Sequence, residues 1–227
     1  MACKVVIFDA YGTLFDVGSA ARAAAEEPGR DGLAACWMAL AEDWRLKQLQ
    51  YTWHRAIVGQ HADFWQVTQE SLDWALERHG LHEDPELRER LLTLYLELEA
   101  YPEVRTTLTE LRERGQTCAI LSNGAPEMLS SATASAGIGD LLDDLLSVEA
   151  VGIYKPAAKT YQLVLDRFGC ERGEVTFVSS NGWDAAGASL FGFNTVWVNR
   201  RNEPVDRLPG RPAHILDDLG ALPDLLG

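Results

Sequence analysis

The stretch Cys3-Lys4-Val5-Val6-Ile7-Phe8-Asp9 is an almost unbroken apolar run that ends on an acid, and the turn-like Tyr11-Gly12-Thr13 follows at once. A run this short, apolar on both alternating faces and stopped by a turn, reads as a buried parallel strand. Working outward, similar runs recur as TCAILSN at 117–123, LLSV at 145–148, VTFVSSN at 175–181 and TVWVN at 195–199. Between them lie segments with helical spacing: EVRTTLTELRERG at 103–115, APEMLSSATASAG at 125–137 and KTYQLVLDRFG at 159–169, each closing on a Gly placed as a C-cap. Strands alternating with helices in this way predict an α/β fold with a doubly wound, Rossmann-like parallel sheet.

From Ser19 to Leu98 no convincing strand is found. The text is rich in Ala, Leu, Glu, Arg and Trp at helical spacing, as in Trp37, Leu40, Ala41 and Trp44, then Leu72, Ala75 and Leu76. The expected division is a core of residues 1–15 and 99–227 with an inserted helical cap of residues 16–98. An insertion just after the carboxyl end of a strand sits over the crevice where open α/β sheets bind ligands, and can close it from above.

The composition narrows the partners. The chain has 227 residues, enough for one domain with an insertion or for two small ones. Lys plus Arg total 20 against 34 Asp plus Glu, a net charge of −14 that repels nucleic acid and anionic membrane, so neither is expected as a partner. An apolar share of 47% and a charged share of 24% belong to globular chains and exclude disorder on compositional grounds. No stretch approaches the ~20 apolar residues of a spanning helix, and the N-terminus does not read as a signal peptide. Cys3, Cys36, Cys118 and Cys170 form no CxxC pair, which argues against a zinc site or disulfide framework and fits reduced thiols in a cytoplasm. The five His residues have no metal-binding spacing, and His54 and His61, in a partly exposed and helical-looking region, are given no chemistry.

Polar residues gather where the strands end: Asp9, then Ser122 and Asn123, then Ser179, Ser180 and Asn181 with Asp184 close behind. Lys155 and Pro156 read as the start of a helix. In a sheet of this type such residues converge on one crevice, although any single Ser or Asn can equally be a helix cap.

Here a resemblance becomes specific. Asp9-Ala10-Tyr11-Gly12-Thr13-Leu14-Phe15-Asp16 resembles the first motif of the haloacid dehalogenase superfamily, and Ser122-Asn123-Gly124, Tyr154-Lys155-Pro156 and Ser179-Ser180-Asn181-Gly182-Trp183-Asp184 resemble its remaining motifs in order. The match covers nearly the whole chain. Within the superfamily the details look like the hydrolytic L-2-haloacid dehalogenases: Trp44-Arg45-Leu46-Lys47-Gln48-Leu49-Gln50-Tyr51 is similar to their cap motif, and Asp63-Phe64 fits the same comparison. The resemblance implies a Rossmann-like core with a helical cap, often a homodimer, acting on a small 2-haloacid without metal or cofactor.

Two other readings were weighed. Phosphatases of the superfamily generally carry a second Asp two residues after the nucleophile and hold Mg²⁺ with acids of the first and last motifs. Here the second position is Tyr11, and Ser180 and Asn181 stand where an acid is usual. A phosphoryl dianion beside Asp9 without Mg²⁺ would meet strong repulsion, which weakens that reading. A catalytically silent binding protein of this fold needs neither Asp9 nor Lys155.

The resemblance also implies the roles. Asp9 attacks C2 opposite the halogen to form an aspartyl ester with inversion, and water then attacks its carboxyl carbon. Lys155 lies beside Asp9 and aligns it, the alternative being a surface lysine that starts a helix. Arg45 reaches from the cap to the departing halide, or is a plain surface ion pair. Asn123 assists at the halide, while Ser122 and the backbone N–H groups after Asp9, from Ala10 onward, hold the substrate carboxylate. Thr13 supports Asp9 or the carboxylate, or is a structural turn hydroxyl. Asp184 serves the hydrolytic water with Asn181 and Ser179, or simply pairs with Lys155. Tyr161 bonds into this network or is a core tyrosine. Tyr11, Leu49, Phe64 and Trp183 match the family's pocket wall, though aromatic residues are commonly just core. Trp37, Trp53, Trp65 and Trp74 read as cap packing or a subunit interface.

Overall fold

The computed structural model describes residues 5–227; Cys3 and Lys4, read as the start of the first strand, lie outside the described residues. Strands β1 (Val5–Phe8), β2 (Thr117–Ser122), β3 (Asp144–Ser147), β4 (Val175–Ser179), β5 (Asn194–Val198) and β6 (His214–Leu216) form one parallel sheet in the order β3-β2-β1-β4-β5-β6. Every residue of β1 is buried, because β2 and β4 flank it and helices cover both faces. That position accounts for the unbroken apolar run. Strand order reverses beside β1, so the ligand crevice lies at the carboxyl ends of β1 and β4.

The sequence reading missed β6. It is only three residues long, on the sheet edge, with His214 and Ile215 exposed, so neither length nor burial marks it in the sequence. The helices after the insertion are α6 (Val104–Glu113), α7 (Pro126–Ser135), α8 (Ala158–Phe168), α9 (Gly182–Phe191) and α10 (Leu222–Leu226). Lys155 and Pro156 do not start a helix as expected: a turn carries them, and α8 begins at Ala158.

Residues 19–96 are helical as expected: α1 (Ser19–Ala25), α2 (Asp31–Ala34), α3 (Trp37–Val58), α4 (Phe64–Arg78) and α5 (Pro85–Leu96). Helix α3 buries Leu40, Trp44, Gln48 and Thr52, spaced four apart on one stripe. Trp44 Nε1 donates to the Thr68 carbonyl at 2.9 Å and Gln48 Nε2 to Thr68 Oγ1 at 3.0 Å, so polar atoms on this stripe are satisfied by α4. Asp63 caps α4 through the Gln66 N–H (2.8 Å) and Asp84 caps α5 through the Leu87 N–H (2.8 Å). His61 lies in the connection between α3 and α4, not in a helix. The two ends of the insertion are joined: Asp16 N–H donates to the Glu99 carbonyl (2.8 Å) and Tyr101 N–H to the Leu14 carbonyl (3.0 Å). Among the described residues no helix is long and apolar enough to cross a membrane.

Candidate active site

Asp9 follows β1 directly, its N–H still bonded to the Val178 carbonyl of β4 at 2.9 Å, and only 6% of it is exposed. Its carboxylate accepts from three side chains: Lys155 Nζ on Oδ1 at 3.1 Å, and Thr13 Oγ1 (2.9 Å) and Asn181 Nδ2 (2.8 Å) on Oδ2. Thr13 is placed by the tight turn in which Leu14 N–H donates to the Ala10 carbonyl (2.9 Å). Its hydroxyl also accepts from Ser180 N–H at 2.8 Å, which joins the loops after β1 and β4. Thr13 is therefore both a turn hydroxyl and a partner of Asp9.

Lys155 is buried, not a surface residue, and its ammonium bridges Asp9 and Asp184, the latter at 2.9 Å. Burial by itself would lower the Lys155 pKa, but Asp184 and then Asp9 outweigh it and raise it above 10.5. Asp184, in the first turn of α9, is fully buried; Oδ1 accepts from Tyr161 Oη (2.7 Å) and Oδ2 from Ser179 Oγ (3.2 Å). Its pKa is raised above 3.8 because burial, reinforced by the charge of Asp9, outweighs the pull of Lys155. Burial and the adjacent Asp184 likewise push the Tyr161 hydroxyl far up. A buried array of this kind is costly to fold, and perturbed groups in a crevice mark a functional site.

Two carboxylates often share a divalent cation, but here the ammonium of Lys155 stands between them. Among the described residues no group of three or more His, Cys, Asp or Glu side chains is arranged to hold a metal ion.

The insertion supplies the site's upper wall. Arg45 of α3 is half-buried, and its Nη2 donates to the Tyr11 carbonyl (3.2 Å) and Asn181 Oδ1 (3.3 Å), spanning from insertion to core. It is not a surface ion pair. Leu49 lies one turn further along the same helix face. Tyr11 is buried in an aromatic stack with Tyr95 (centroids 5.7 Å apart, 17° between planes) and Phe64 (5.8 Å). Its hydroxyl is buried with no hydrogen-bond partner among the described residues, and burial, with Tyr95 adding to it, raises its pKa. Gly124 makes room for this ring: a Cβ there would lie 2.7 Å from Tyr11 Cε2.

Ser122 is buried at the end of β2 and accepts the Gly124 N–H at 3.0 Å, while Asn123 Oδ1 accepts the Lys155 N–H at 3.0 Å. Both therefore shape the loop that faces Lys155. Trp183 meets Trp53 edge to face at 5.5 Å, so Trp53 reaches out of the insertion to the first turn of α9 and is not confined to cap packing or a subunit interface.

Asp9, Thr13, Lys155, Tyr161, Ser179, Asn181 and Asp184 are joined by side-chain hydrogen bonds, with Arg45 attached through Asn181. Sequence reasoning missed Tyr95 and Gln48, whose hydrogen bond (Gln48 Nε2 to Tyr95 Oη, 3.1 Å) lies behind the Tyr11 ring. Their helical spacing is indistinguishable from ordinary core.

A model of the haloacid dehalogenase-like hydrolases matches residues 3–192. The chain is 46% identical over 223 residues to (S)-2-haloacid dehalogenase 1 of Pseudomonas sp. (strain CBS-3), covering 98% of this chain and 96% of that protein. It is 44% identical over 223 residues to (S)-2-haloacid dehalogenase 4A of Burkholderia cepacia, covering 98% and 94%. Among solved structures it is similar to L-2-haloacid dehalogenase from Xanthobacter autotrophicus with chloropropionic acid covalently bound, at 37% identity, TM-score 0.87 and coverage of 99% and 98%. By motif order, fold and near full-length identity, the chain belongs to the haloacid dehalogenase-like hydrolases.

Proposed function

We propose that the chain hydrolyses short (S)-2-haloalkanoic acids to (R)-2-hydroxyalkanoic acids and halide, through an ester on Asp9. The observation that carries this reading is a buried Asp9 oriented by Lys155, Thr13 and Asn181, with Tyr11 where the phosphatases carry their second Asp. The relatives' own designation as (S)-2-haloacid dehalogenases supports the substrate class.

Asp9 attacks C2 from the face opposite the halogen, and the C–X electron pair leaves with the halide, which needs no proton. A nucleophile, donors for the halide and a route to hydrolysis suffice. Arg45 and the Asn123 amide receive the halide, and its closing position from α3 excludes water. Ser122 and the N–H groups of Ala10 and Tyr11 hold the substrate carboxylate; Tyr11, Leu49, Phe64 and Trp183 wall the alkyl group.

Water then attacks Cγ of the Asp9 ester. Asp184 takes a proton from that water, Ser179 and Asn181 position it, and Tyr161 fixes Asp184. Collapse of the adduct releases the C2 oxygen, which takes the proton, and restores Asp9. Residues 16–98 act as the cap over this chemistry. A second copy of the chain is the partner, supported by the exposed apolar residues Met38, Leu46, Ile57 and Val58 on α3; a monomer in light scattering contradicts it.

Halide release from both enantiomers of 2-chloropropionate tests the activity. It should be confined to the (S) form, persist in excess EDTA and vanish in Asp9→Asn. Turnover retained by Asp9→Asn, or a strict Mg²⁺ requirement with phosphate esters, overturns the proposal.

A further inference from the structure

We propose that Arg200 is a positioning residue for the reaction: it holds the turn that aims the Thr13 hydroxyl at Asp9, and ties that turn to the segment that leads from the insertion into α6. This rests on the reading of Asp9 as nucleophile.

Arg200 follows β5 and touches none of the residues assigned to substrate or halide. Its Nη2 donates to the Thr13 carbonyl at 3.0 Å and lies 2.6 Å from Glu103 Oε1, while the guanidinium sits 3.7 Å above the Tyr101 ring. These contacts come from opposite sides. Thr13 belongs to the turn after β1, whereas Tyr101 and Glu103 belong to the segment that leads from the insertion into α6. The Tyr101 N–H donates to the Leu14 carbonyl (3.0 Å), so the two segments that Arg200 joins already run side by side.

The consequence reaches Asp9 through one residue. Thr13 Oγ1 donates to Asp9 Oδ2 at 2.9 Å, and the Thr13 carbonyl is the group that Arg200 fixes. Holding that carbonyl restrains the backbone of the turn, and with it the position from which the hydroxyl, itself held by the Ser180 N–H, reaches the carboxylate. The arrangement is unlike a surface ion pair, which contributes little. The Arg200 side chain is 15% exposed, and its Nε is buried with no hydrogen-bond partner among the described residues. Both polar contacts are made by the one nitrogen Nη2, which places the Thr13 carbonyl and the Glu103 carboxylate on the same donor. Lysine has no planar group to stack on Tyr101 while its nitrogen meets Thr13 and Glu103.

The test is a double-mutant cycle on the full chain, with Arg200→Met, Arg200→Lys, Thr13→Val and the Arg200→Met/Thr13→Val pair, assayed by halide release from (S)-2-chloropropionate and by thermal melting. In the Thr13 background Arg200→Met should cost little, whereas alone it should lower kcat about 10- to 100-fold, with kcat/KM falling in parallel. Arg200→Lys should fall on the same side and keep a folded melting transition. Full multiplicativity of the two substitutions, or a wild-type kcat in Arg200→Met, overturns the role. Loss of the folded state in both Arg200 variants assigns the residue to stability alone and overturns it equally. A wild-type chain that releases no halide refutes the activity itself, and this role with it; the other outcomes leave the activity standing.

Discussion

At Lys155 one ammonium stands 3.1 Å from Asp9 and 2.9 Å from Asp184, with almost no water in reach. Removing it leaves two buried carboxylates facing each other, so Lys155→Met should abolish turnover and destabilise by about 3–5 kcal/mol. The pH dependence has a definite sign. The folded-state pKa of Lys155 is raised above 10.5, so its stabilisation is complete below that pH and is lost as pH rises through the folded value. The melting-temperature gap between wild type and Lys155→Met should stay constant toward neutral pH and narrow only above about 10.5. Asp184 is raised above 3.8, so ester hydrolysis should lose its base on acidification before an ordinary Asp would protonate. Single-turnover kinetics at acid pH should show ester accumulating; a rate of ester hydrolysis that does not fall on acidification contradicts the assignment. Asp9 and Asp184 were legible because they stand just past the end of a strand, and Lys155, in a turn well beyond β3, through the motif that contains it. Arg200 was not, since a polar residue after an edge-side strand carries no such mark.

Helix α3 packs the insertion with the stripe of Trp44 and Gln48 and carries Arg45 and Leu49, the proposed halide and pocket residues, on the flank beside it. Gln48 bonds Thr68 and Tyr95, so Gln48→Leu should strand buried polar atoms at a cost of about 1–3 kcal/mol, read by denaturant unfolding. At the loop after β2, Gly124→Ala should press on the Tyr11 ring, which Tyr95 and Phe64 prevent from yielding. The expected outcome is a loss of about 1–3 kcal/mol and a raised KM; an unchanged KM argues against Tyr11 as a pocket wall. Elements differed in how readily they were read. Strand β1 was evident because burial on both faces forces an unbroken apolar run, whereas β6 at the edge is under no such demand. The role of Trp53 was hidden for a related reason: an aromatic residue at helical spacing does not reveal whether it faces its own helices or, as here, Trp183 across the crevice.

On the scale of the whole molecule, the net charge of −14 opposes an anionic substrate, and attraction falls to a small cationic exception made of Arg45, Lys155 and backbone donors. Screening lengths shrink to about 8 Å at physiological salt, so apparent KM should fall as ionic strength rises from low values. A KM independent of salt would mean that the remote charges do not matter. Insertion and core meet through Arg45 on the Tyr11 carbonyl, through Trp53 on Trp183 and through His61 on Glu149 (2.7 Å). The central claim is that the product's new oxygen comes from Asp9 and not directly from water. One turnover with enzyme in excess, run in ¹⁸O-labelled water, separates the two by mass spectrometry. Label is expected in the Asp9 carboxylate, with an unlabelled 2-hydroxy acid; label in the 2-hydroxyl group of the first-turnover product would contradict an ester on Asp9.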